Sequence, residues 1–379
     1  MRVMLCAAVA LVTPAAYAPG SPYSQLMAVS GPAPAIPAAA FDFVDHAKLP
    51  DRAKVLSAAK AANGRVWVVT DKGAFVSEAG GYAPLKFAPQ KLEPGQPAVP
   101  AEAKIVAVAA DRIGHVWAAT DRGLFVTNGD QWYSRLARQD GVPFEEMTCL
   151  HLAANGDLWG GTTQGAWRLR DGQFRYFWGK RWLPGNHVRA IWTDSQGKAW
   201  FDTEGGVGGI EERPMTLAKK AAHFDQITQD RHMRRGFISH IHLQTPGDPT
   251  KGYRFMISDN DGLWNAIYVG AMSFRYAATR DPIARKQARE ALEAMLDLER
   301  LTGIPGYPAR AVATDDELNK GIDGVNLEEH VRVPGETDKI WSRSPVDPAA
   351  WCKGDTSSDE MDGHYFAWYV YHDLVADAA

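Results

Sequence analysis

Two short segments of the chain combine carboxylates with other side chains that can carry chemistry. Residues 354–365 are rich in acids and also hold a histidine and a tyrosine, and residues 259–264 carry two aspartates. A pair of carboxylates can serve as general acid and base on a glycosidic bond. A tyrosine or histidine beside an arginine can instead abstract the C5 proton of a uronic acid, as a lyase requires. We therefore predict as catalytic residues Asp261, Asp359, Glu360, Asp362, His364 and Tyr365.

Aromatic and basic residues near these segments are candidates for holding a sugar substrate. Arg310 follows a stretch rich in glycine and proline, and its guanidinium can bind the carboxylate of a uronic acid through two N–H groups. The chain has 13 Trp, 12 Tyr and 14 Phe, and only part of this aromatic content belongs to the repeat described below. The predicted substrate-binding residues are Trp264, Tyr268, Tyr307 and Arg310.

The two helix starts in these segments also have a purely structural interpretation. Asp261 and Asp362 both stand where a helix is predicted to begin, and an aspartate there satisfies free backbone N–H groups and the helix dipole. Asp259, Asp261 and Gly262 also resemble the start of a calcium-binding loop, but no glutamate occupies the twelfth position of such a loop. Capping and catalysis are therefore alternatives at both helix starts.

Histidines and arginines between residues 231 and 242 offer two further kinds of site. His240 and His242 alternate on a predicted strand, residues 237–243, and so share one face as zinc ligands can, but no third ligand has a convincing spacing. A small basic patch fits either an anionic sugar or a solvated turn; it comprises Arg231, His232, Arg234 and Arg235. The sequence predicts no metal and no cofactor.

Helices must position the two acidic segments. Asp261–Thr279 is apolar nearly all round and is therefore predicted to be a buried helix. The next helix is predicted to begin with Asp281 as N-cap and Pro282 at the first position, and to end at Gly303 with its charged residues facing water. Residues 362–375 repeat the design of the first helix. One face of that first helix is marked by Leu263, Ile267, Ala271 and Phe274.

Alternating buried and exposed helices, with an Asp-Gly pair at the start of each buried one, resemble the (α/α) toroid that accompanies propellers in secreted bacterial proteins. That arrangement is similar in layout to the toroids of polysaccharide lyases and glycoside hydrolases, and it implies a cleft at the mouths of the inner helices. Only three long helices are predicted after residue 213, so we expect an incomplete toroid. The chain would then be a fragment or a truncated product, or the helical part would close against another subunit.

The first half of the chain contains a four-copy repeat that reads G-x-x-W-x-x-T-x-x-G. Its tryptophans, at intervals of 50, 42 and 41 residues, are Trp67, Trp117, Trp159 and Trp200. Glycines supply the positive φ of tight hairpins, the tryptophan lies in an apolar strand, and the threonine hydroxyl can tie down the next turn. Each tryptophan can alternatively be a residue that only packs in the core between blades. A period of this length with several short strands predicts β-propeller blades.

This motif resembles the two-component regulator propeller repeat, which occurs in sensor ectodomains and in secreted bacterial proteins. The resemblance covers residues 56–210 and implies a propeller that presents a ligand-binding face without catalysis. The predicted fold class is therefore multidomain β plus α, with a β-propeller-like repeat of four blade motifs followed by an incomplete toroid-like helical domain. The predicted boundaries are 1–18 for a signal peptide, 19–50 for an Ala/Pro-rich linker, 51–212 for the repeats and 213–379 for the helices.

The N-terminus predicts export from the cytoplasm. Met1 and Arg2 precede a ten-residue apolar run, residues 3–12, and residues 16–18 fit an A-x-A cleavage site. No other segment is apolar enough to cross a membrane, so no membrane span is expected once the signal is removed. Cys149 and Cys352 can pair or stay free, and their spacing matches no metal site.

Composition narrows the function classes. The formal net charge is −4 over 379 residues and no basic block occurs, which argues against nucleic acid as a partner. The sequence thus predicts a periplasmic or secreted carbohydrate-active protein, a hydrolase or lyase with its cleft between propeller and helices. An oligo- or polysaccharide is the expected ligand, and the oligomeric state is open. The alternative is a non-catalytic ligand-binding or sensory propeller module.

Overall fold

The computed structural model describes residues 22–29, 34–35, 37, 41–85, 103–127, 132–136, 138–329 and 339–377. These residues divide into two compact units, one from Ser21 to Thr216 and the other from Leu217 onward. The predicted signal peptide lies outside the described residues. None of the helices within the described ranges combines the length and the apolar character that crossing a bilayer requires.

The first unit consists of short antiparallel strands. In chain order they are β1 (Pro22–Val29), β2 (Val55–Lys60), β3 (Val66–Thr70), β4 (Gly73–Glu78), β5 (Gly81–Pro84), β6 (Ile105–Ala110), β7 (Val116–Thr120), β8 (Gly123–Thr127), β9 (Trp132–Leu136), β10 (Met147–Leu152), β11 (Leu158–Thr162), β12 (Gly165–Arg170), β13 (Gln173–Phe177), β14 (Val188–Thr193), β15 (Ala199–Thr203) and β16 (Gly206–Thr216). They form four four-stranded sheets: β2 to β5, β6 to β9, β10 to β13, and β14-β15-β16-β1. The four-copy repeat of short strands is thereby confirmed.

The threonine of each repeat ties down the second hairpin, as predicted. Thr162 Oγ1 donates to the carbonyl of Gly165 at 2.8 Å and accepts from the N–H of Gln164 at 3.0 Å. The equivalent hydroxyls donate in the same way at 2.9, 2.8 and 2.7 Å; they belong to Thr70, Thr120 and Thr203. Gly165 has a φ of +123°, and a Cβ there would lie 2.4 Å from the carbonyl oxygen of Phe177. This position therefore requires glycine.

The repeat tryptophans are packing residues. Trp67, Trp159 and Trp200 are 3–4% exposed and Trp117 is half-buried. The ring of Trp159 lies between those of Phe177 and Phe201, with both centroids 5.5 Å away. These contacts support the interpretation of the tryptophans as core wedges, so the repeat motif itself is scaffold.

The segment over residues 19–50 was predicted to be a linker, but it contains strand β1. This strand runs antiparallel to β16 along its whole length, from Pro22 opposite Thr216 to Val29 opposite Gly209. Its Leu26 is 4% exposed and belongs to the core that also contains Ile210. The sequence reading missed this strand because its partner is almost two hundred residues away and its own segment carries no repeat motif.

The second unit contains both helices and strands. Its helices are α1 (Leu217–Arg231), α2 (Asp261–Thr279), α3 (Pro282–Arg300), α4 (Asp315–Asn319) and α5 (Ser358–Leu374). Its strands are β17 (Met233–Arg234), β18 (Phe237–Ile238), β19 (His240–Thr245), β20 (Asp248–Met256), β21 (Ala311–Thr314), β22 (Trp341–Arg343) and β23 (Ala350–Lys353). The pairs β17-β18 and β19-β20 are hairpins, and β21-β23-β22 is a three-stranded sheet. The helical domain expected over residues 213–379 therefore contains more strands than the one predicted at residues 237–243, and a toroid is not confirmed.

One predicted long helix has the expected bounds, and a second begins where expected but ends at Arg300 and not at Gly303. Helix α2 spans the predicted residues, and Asp281 caps α3 by accepting from the N–H of Ile283. Helix α5 begins earlier than predicted, with Ser357 as its N-cap, so Asp362 lies inside the helix and does not cap it. The expectation that α2 is buried all round was also wrong. Its exposed face carries Trp264, Ile267, Ala271 and Phe274.

Candidate functional site

Asp261, a predicted catalytic residue, lies in a closed network at the start of α2. It is 0% exposed, and its Oδ2 accepts from Arg234 Nη2 at 2.7 Å. Ser258 donates to its Oδ1 through the backbone N–H at 3.3 Å and through the hydroxyl at 3.2 Å. Burial raises the pKa of Asp261 to about 6, although Arg234 opposes this shift. Arg234 is also buried and pairs with Glu317 at 2.9 Å, so this network is structural.

Glu360 and His364, which were also predicted to be catalytic, are buried between α5 and α2. Both are 0% exposed, and Glu360 Oε1 lies 3.4 Å from His364 Nε2. Glu360 Oε2 accepts from the N–H of Leu263 at 3.0 Å and so caps α2 from the neighbouring helix. A Cβ on Gly262 would lie 2.0 Å from Glu360 Oε1, which shows how closely the two helices approach. Neither side chain can touch a substrate in this structure.

The remaining predicted catalytic residues are exposed on α5. Asp359 accepts from Asn260 Nδ2 at 2.8 Å, and the hydroxyl of Ser357 is the leading cause of its lowered pKa. Asp362 is exposed and Tyr365 is 60% exposed. Three of the six predicted catalytic side chains are therefore fully buried and three are exposed on the surface. It does not bring them together as an acid–base pair facing one ligand.

The predicted substrate-binding residues are equally dispersed. Trp264 is 42% exposed and its ring centroid lies 6.3 Å from that of His240, and Tyr307 is also 42% exposed. Tyr268 is buried; its hydroxyl donates to Asp225 at 2.7 Å, and burial raises its pKa.

The guanidinium of Arg310 is hydrogen-bonded to neighbouring loops. It donates to the carbonyl of Asp259, to Asn260 Oδ1 at 3.1 Å and to the carbonyl of Asp355 at 3.1 Å. These bonds hold the entrance of α2 against the segment that precedes α5. The predicted role in binding a substrate carboxylate is therefore not supported by its present contacts.

The metal-binding alternatives find no support in the described ranges. No group of three histidine, cysteine or acidic side chains there has the arrangement of a metal site. The predicted strand over residues 237–243 is interrupted between β18 and β19, and His242 contacts Asp323 at 2.7 Å. Asp259, the first residue of the calcium-like pattern, pairs with Lys353 at 2.5 Å. Cys149 and Cys352 are both free thiols.

The first unit contains a cavity of about 1440 Å³, which was not predicted from the sequence. Its walls include the first strand of each sheet, β2, β6, β10 and β14, which we call the inner strands. Residues 37, 41 and 43 also contribute to the lining. We call this space the inner-strand cavity. It lies within one unit and is larger than a typical small-molecule pocket, which measures roughly 300–1,000 Å³.

A bulge recurs near the start of every inner strand. The register against the next strand shifts between Val55 and Ser57, Ile105 and Ala107, Met147 and Cys149, and Val188 and Ala190. The extra residues at these equivalent positions all line the cavity, and they are Leu56, Val106, Thr148 and Arg189. Bulges re-aim side chains and are common beside binding sites. The scaffold is thus repeated while the side chains that it presents differ in size, polarity and charge.

Polar groups of the cavity are held by specific contacts. Arg189 donates from Nε and Nη2 to the two carboxylate oxygens of Asp202 at 2.9 and 2.6 Å. His151 Nε2 lies 3.0 Å from the hydroxyl of Thr193, and burial lowers the pKa of His151, which favours the neutral ring. At the bulge position, polar residues replace aliphatic ones in β10 and β14, which carry Thr148 and Arg189 where β2 and β6 carry Leu56 and Val106. That asymmetry is the sequence signal that could have pointed to this cavity.

Comparison with known proteins yields distant structural likenesses. No family model and no curated protein matches the chain. It is similar to the extracellular domain of a putative one-component system from B. thetaiotaomicron, with 19% identity over 41% of this chain and 21% of that chain and a TM-score of 0.31. It is also similar to a catalytically inactive virginiamycin B lyase from Staphylococcus aureus, with 16% identity over 52% and 62% of the two chains and a TM-score of 0.32.

A third similar structure is the extracellular domain of a putative hybrid two-component system from B. thetaiotaomicron. Identity is 16%, coverage is 53% of this chain and 32% of that chain, and the TM-score is 0.27. The chain therefore spans less than two thirds of the length of each of these structures. At TM-scores this low, the likenesses carry no functional conclusion for the chain.

Proposed function

We propose that the protein is a non-catalytic ligand-binding module of the propeller type, and that the ligand lies in the inner-strand cavity. The observation that carries this proposal is the recurring bulge, which presents four different side chains to one cavity from four equivalent backbone positions. A rigid repeated frame with a varied lining is the design of a recognition site on a scaffold. The signal-like N-terminal sequence favours a periplasmic or extracellular setting for this binding.

The disposition of carboxylates supports binding over hydrolysis or elimination. The single carboxylate among the described lining residues is Asp71, and its Oδ1 accepts from the backbone N–H of Lys54 at 2.8 Å. Glycoside hydrolysis by the common mechanisms requires two carboxyl groups flanking one bond. In the second unit, Asp261 and Glu360 are fully buried and hydrogen-bonded. Neither the cavity lining nor this buried pair offers an exposed acid–base pair.

A panel of ligands tests this proposal on the full chain. The purified protein is mixed with neutral oligosaccharides, uronate oligosaccharides and dodecyl amphiphiles, and both its unfolding temperature and the products are followed. We expect at least one compound to raise the unfolding temperature with increasing concentration and to be recovered unchanged. Formation of reducing ends or unsaturated products that is lost in Asp362→Asn would overturn the proposal in favour of an enzyme. Absence of any binding would overturn it as well.

A further inference from the structure

Resting on the proposed function, we infer that the inner-strand cavity takes an amphipathic anion, an acyl or aryl carboxylate. Its apolar body would lie against β2 and β6, and its carboxylate would face the basic groups of the cavity. The inference follows from how apolar, polar and charged lining residues are divided among the four inner strands. Because the strands are structural repeats, this division reflects residue type alone and not a difference in backbone architecture.

The β2 and β6 walls are apolar apart from Lys60 at the end of β2 and Lys104 just before β6. The bulge residues there are Leu56, which is 53% exposed, and Val106. The side chains between them along the strands are mostly small and aliphatic, and Ser57 binds the backbone N–H and carbonyl of Val108 at 3.1 and 3.2 Å. Phe41 and Phe43, whose rings meet edge to face at 6.5 Å, add aromatic surface to the lining. Such surface favours burial of a hydrocarbon body.

The β10 and β14 walls supply the polar contacts. Thr148 and Arg189 occupy the bulge positions, and the His151–Thr193 pair lies further along the same strands. Asp202 holds the guanidinium of Arg189 through Nε and Nη2, and Nη2 also donates to the carbonyl of Thr203 at 2.6 Å, so Nη1 is the nitrogen that can meet a ligand carboxylate. A hydrogen bond from a charged nitrogen to a carboxylate is stronger than one between neutral groups. This wall therefore suits an anionic head group.

The charge balance of the lining favours an anion. Lys60, Lys104 and Arg189 contribute three positive charges, Asp71 contributes one negative charge, and Asp202, which pairs with Arg189, contributes a second. A cavity lined mainly by one sign of charge attracts ligands of the opposite sign. A neutral sugar would use neither this charge nor the aliphatic wall, whereas an amphipathic carboxylate would use both. A uronate oligosaccharide is the competing anion, and the test must separate the two.

Titration calorimetry with dodecanoate and dodecyltrimethylammonium, both below their micellar concentrations, tests the inference. The two probes share the hydrocarbon chain and differ in the sign of the head group. We expect dodecanoate to bind at least about tenfold more tightly, which corresponds to one charge-assisted hydrogen-bonded pair. Arg189→Gln should weaken dodecanoate binding by about tenfold. Arg175→Gln, on the outer strand β13 and outside the lining, should change it by less than about twofold.

The outcomes distinguish this inference from the proposed function. Equal affinity for both probes would overturn the inference, as would unchanged dodecanoate binding in Arg189→Gln. Because Arg189→Gln leaves Asp202 without its partner, Lys104→Gln provides a second variant that keeps this pair, and it too should weaken dodecanoate binding. If a saccharide binds in the cavity and dodecanoate does not, the inference fails and the proposed function stands. If no compound of the panel binds, both fail.

Discussion

Glu360 Oε2 on α5 accepts a hydrogen bond of 3.0 Å from the backbone N–H of Leu263, in the first turn of α2. The side chain that the sequence marked as catalytic is therefore a cap that one helix provides for another. We expect Glu360→Ala to lower the free energy of unfolding by about 1–3 kcal/mol, because it leaves a partly buried N–H without its acceptor. Urea denaturation followed by circular dichroism measures this change.

The matched control is Asp362→Ala, an exposed acid on the same helix, which should change stability by less than about 0.5 kcal/mol. Glu360→Gln retains an acceptor oxygen and should cost less than Glu360→Ala. Equal stability losses for Glu360→Ala and Asp362→Ala would show that the cap is energetically unimportant.

The pH dependence of stability should reveal the burial of Asp261. Burial raises the pKa of its carboxyl from 3.8 to about 6, so the folded state holds the proton more tightly than the unfolded state. The protonated group therefore stabilises the fold fully below about pH 4, and this contribution is lost as the pH rises through about 6. At about 1.4 kcal/mol per pKa unit, the loss reaches at most about 3 kcal/mol.

We accordingly expect the unfolding free energy of the wild type, relative to Asp261→Asn, to fall between about pH 4 and pH 7. Urea denaturation at a series of pH values measures the difference. The exposed variant Asp362→Asn serves as the control and should follow the wild type throughout. A difference between wild type and Asp261→Asn that does not vary with pH would refute this account of the carboxyl.

Gly262 permits the close approach of α2 and α5. A Cβ there would lie 2.0 Å from Glu360 Oε1 and 2.5 Å from His364 Nε2. Gly262→Ala should lower the free energy of unfolding by about 1–3 kcal/mol through overpacking. Gly80→Ala is the control, because a Cβ at that glycine meets nothing within 4 Å. Thermal unfolding of the two variants should therefore differ, and equal unfolding temperatures would contradict the packing.

The repeat threonines should contribute to stability as a class. Thr162 is 0% exposed and its hydroxyl makes bonds of 2.8 and 3.0 Å with the following turn. Thr162→Val keeps the shape of the side chain and should cost about 1–2 kcal/mol, since both bonds are lost. The neighbouring Thr163→Val, at a half-buried position whose hydroxyl makes one long bond of 3.4 Å to Glu146, should cost less. A neutral Thr162→Val would mean that the glycine alone determines this turn.

Features with a local cause were predictable from the sequence. The T-x-x-G turns depend on a hydroxyl and a glycine three residues apart, and Asp281 followed by Pro282 is a local start signal for α3. Strand β1 was missed because its pairing with β16 is a long-range contact that leaves no local pattern.

The predicted site failed for a similar reason. Residue type alone does not distinguish a buried carboxylate from an exposed one. Asp261 is buried against Arg234, 27 residues away in the sequence, and Glu360 is buried against Leu263, 97 residues away. The lining of the inner-strand cavity depends on the bulge positions, at which the four repeats differ, and not on the motif residues that they share. Leu56 and Arg189 occupy equivalent bulges yet have opposite character, and this contrast was visible in the sequence.

The most direct test of the central claim is to obstruct the inner-strand cavity. Leu56 is 53% exposed within it, so Leu56→Trp should fill space without disturbing the core, whereas Ile113→Trp adds the same ring at a position that is 80% exposed and outside the lining. Titration calorimetry with the tightest compound of the ligand panel should show binding weakened by about tenfold or more in Leu56→Trp and unchanged in Ile113→Trp. Unaltered affinity in a folded Leu56→Trp protein would contradict the placement of the ligand in this cavity.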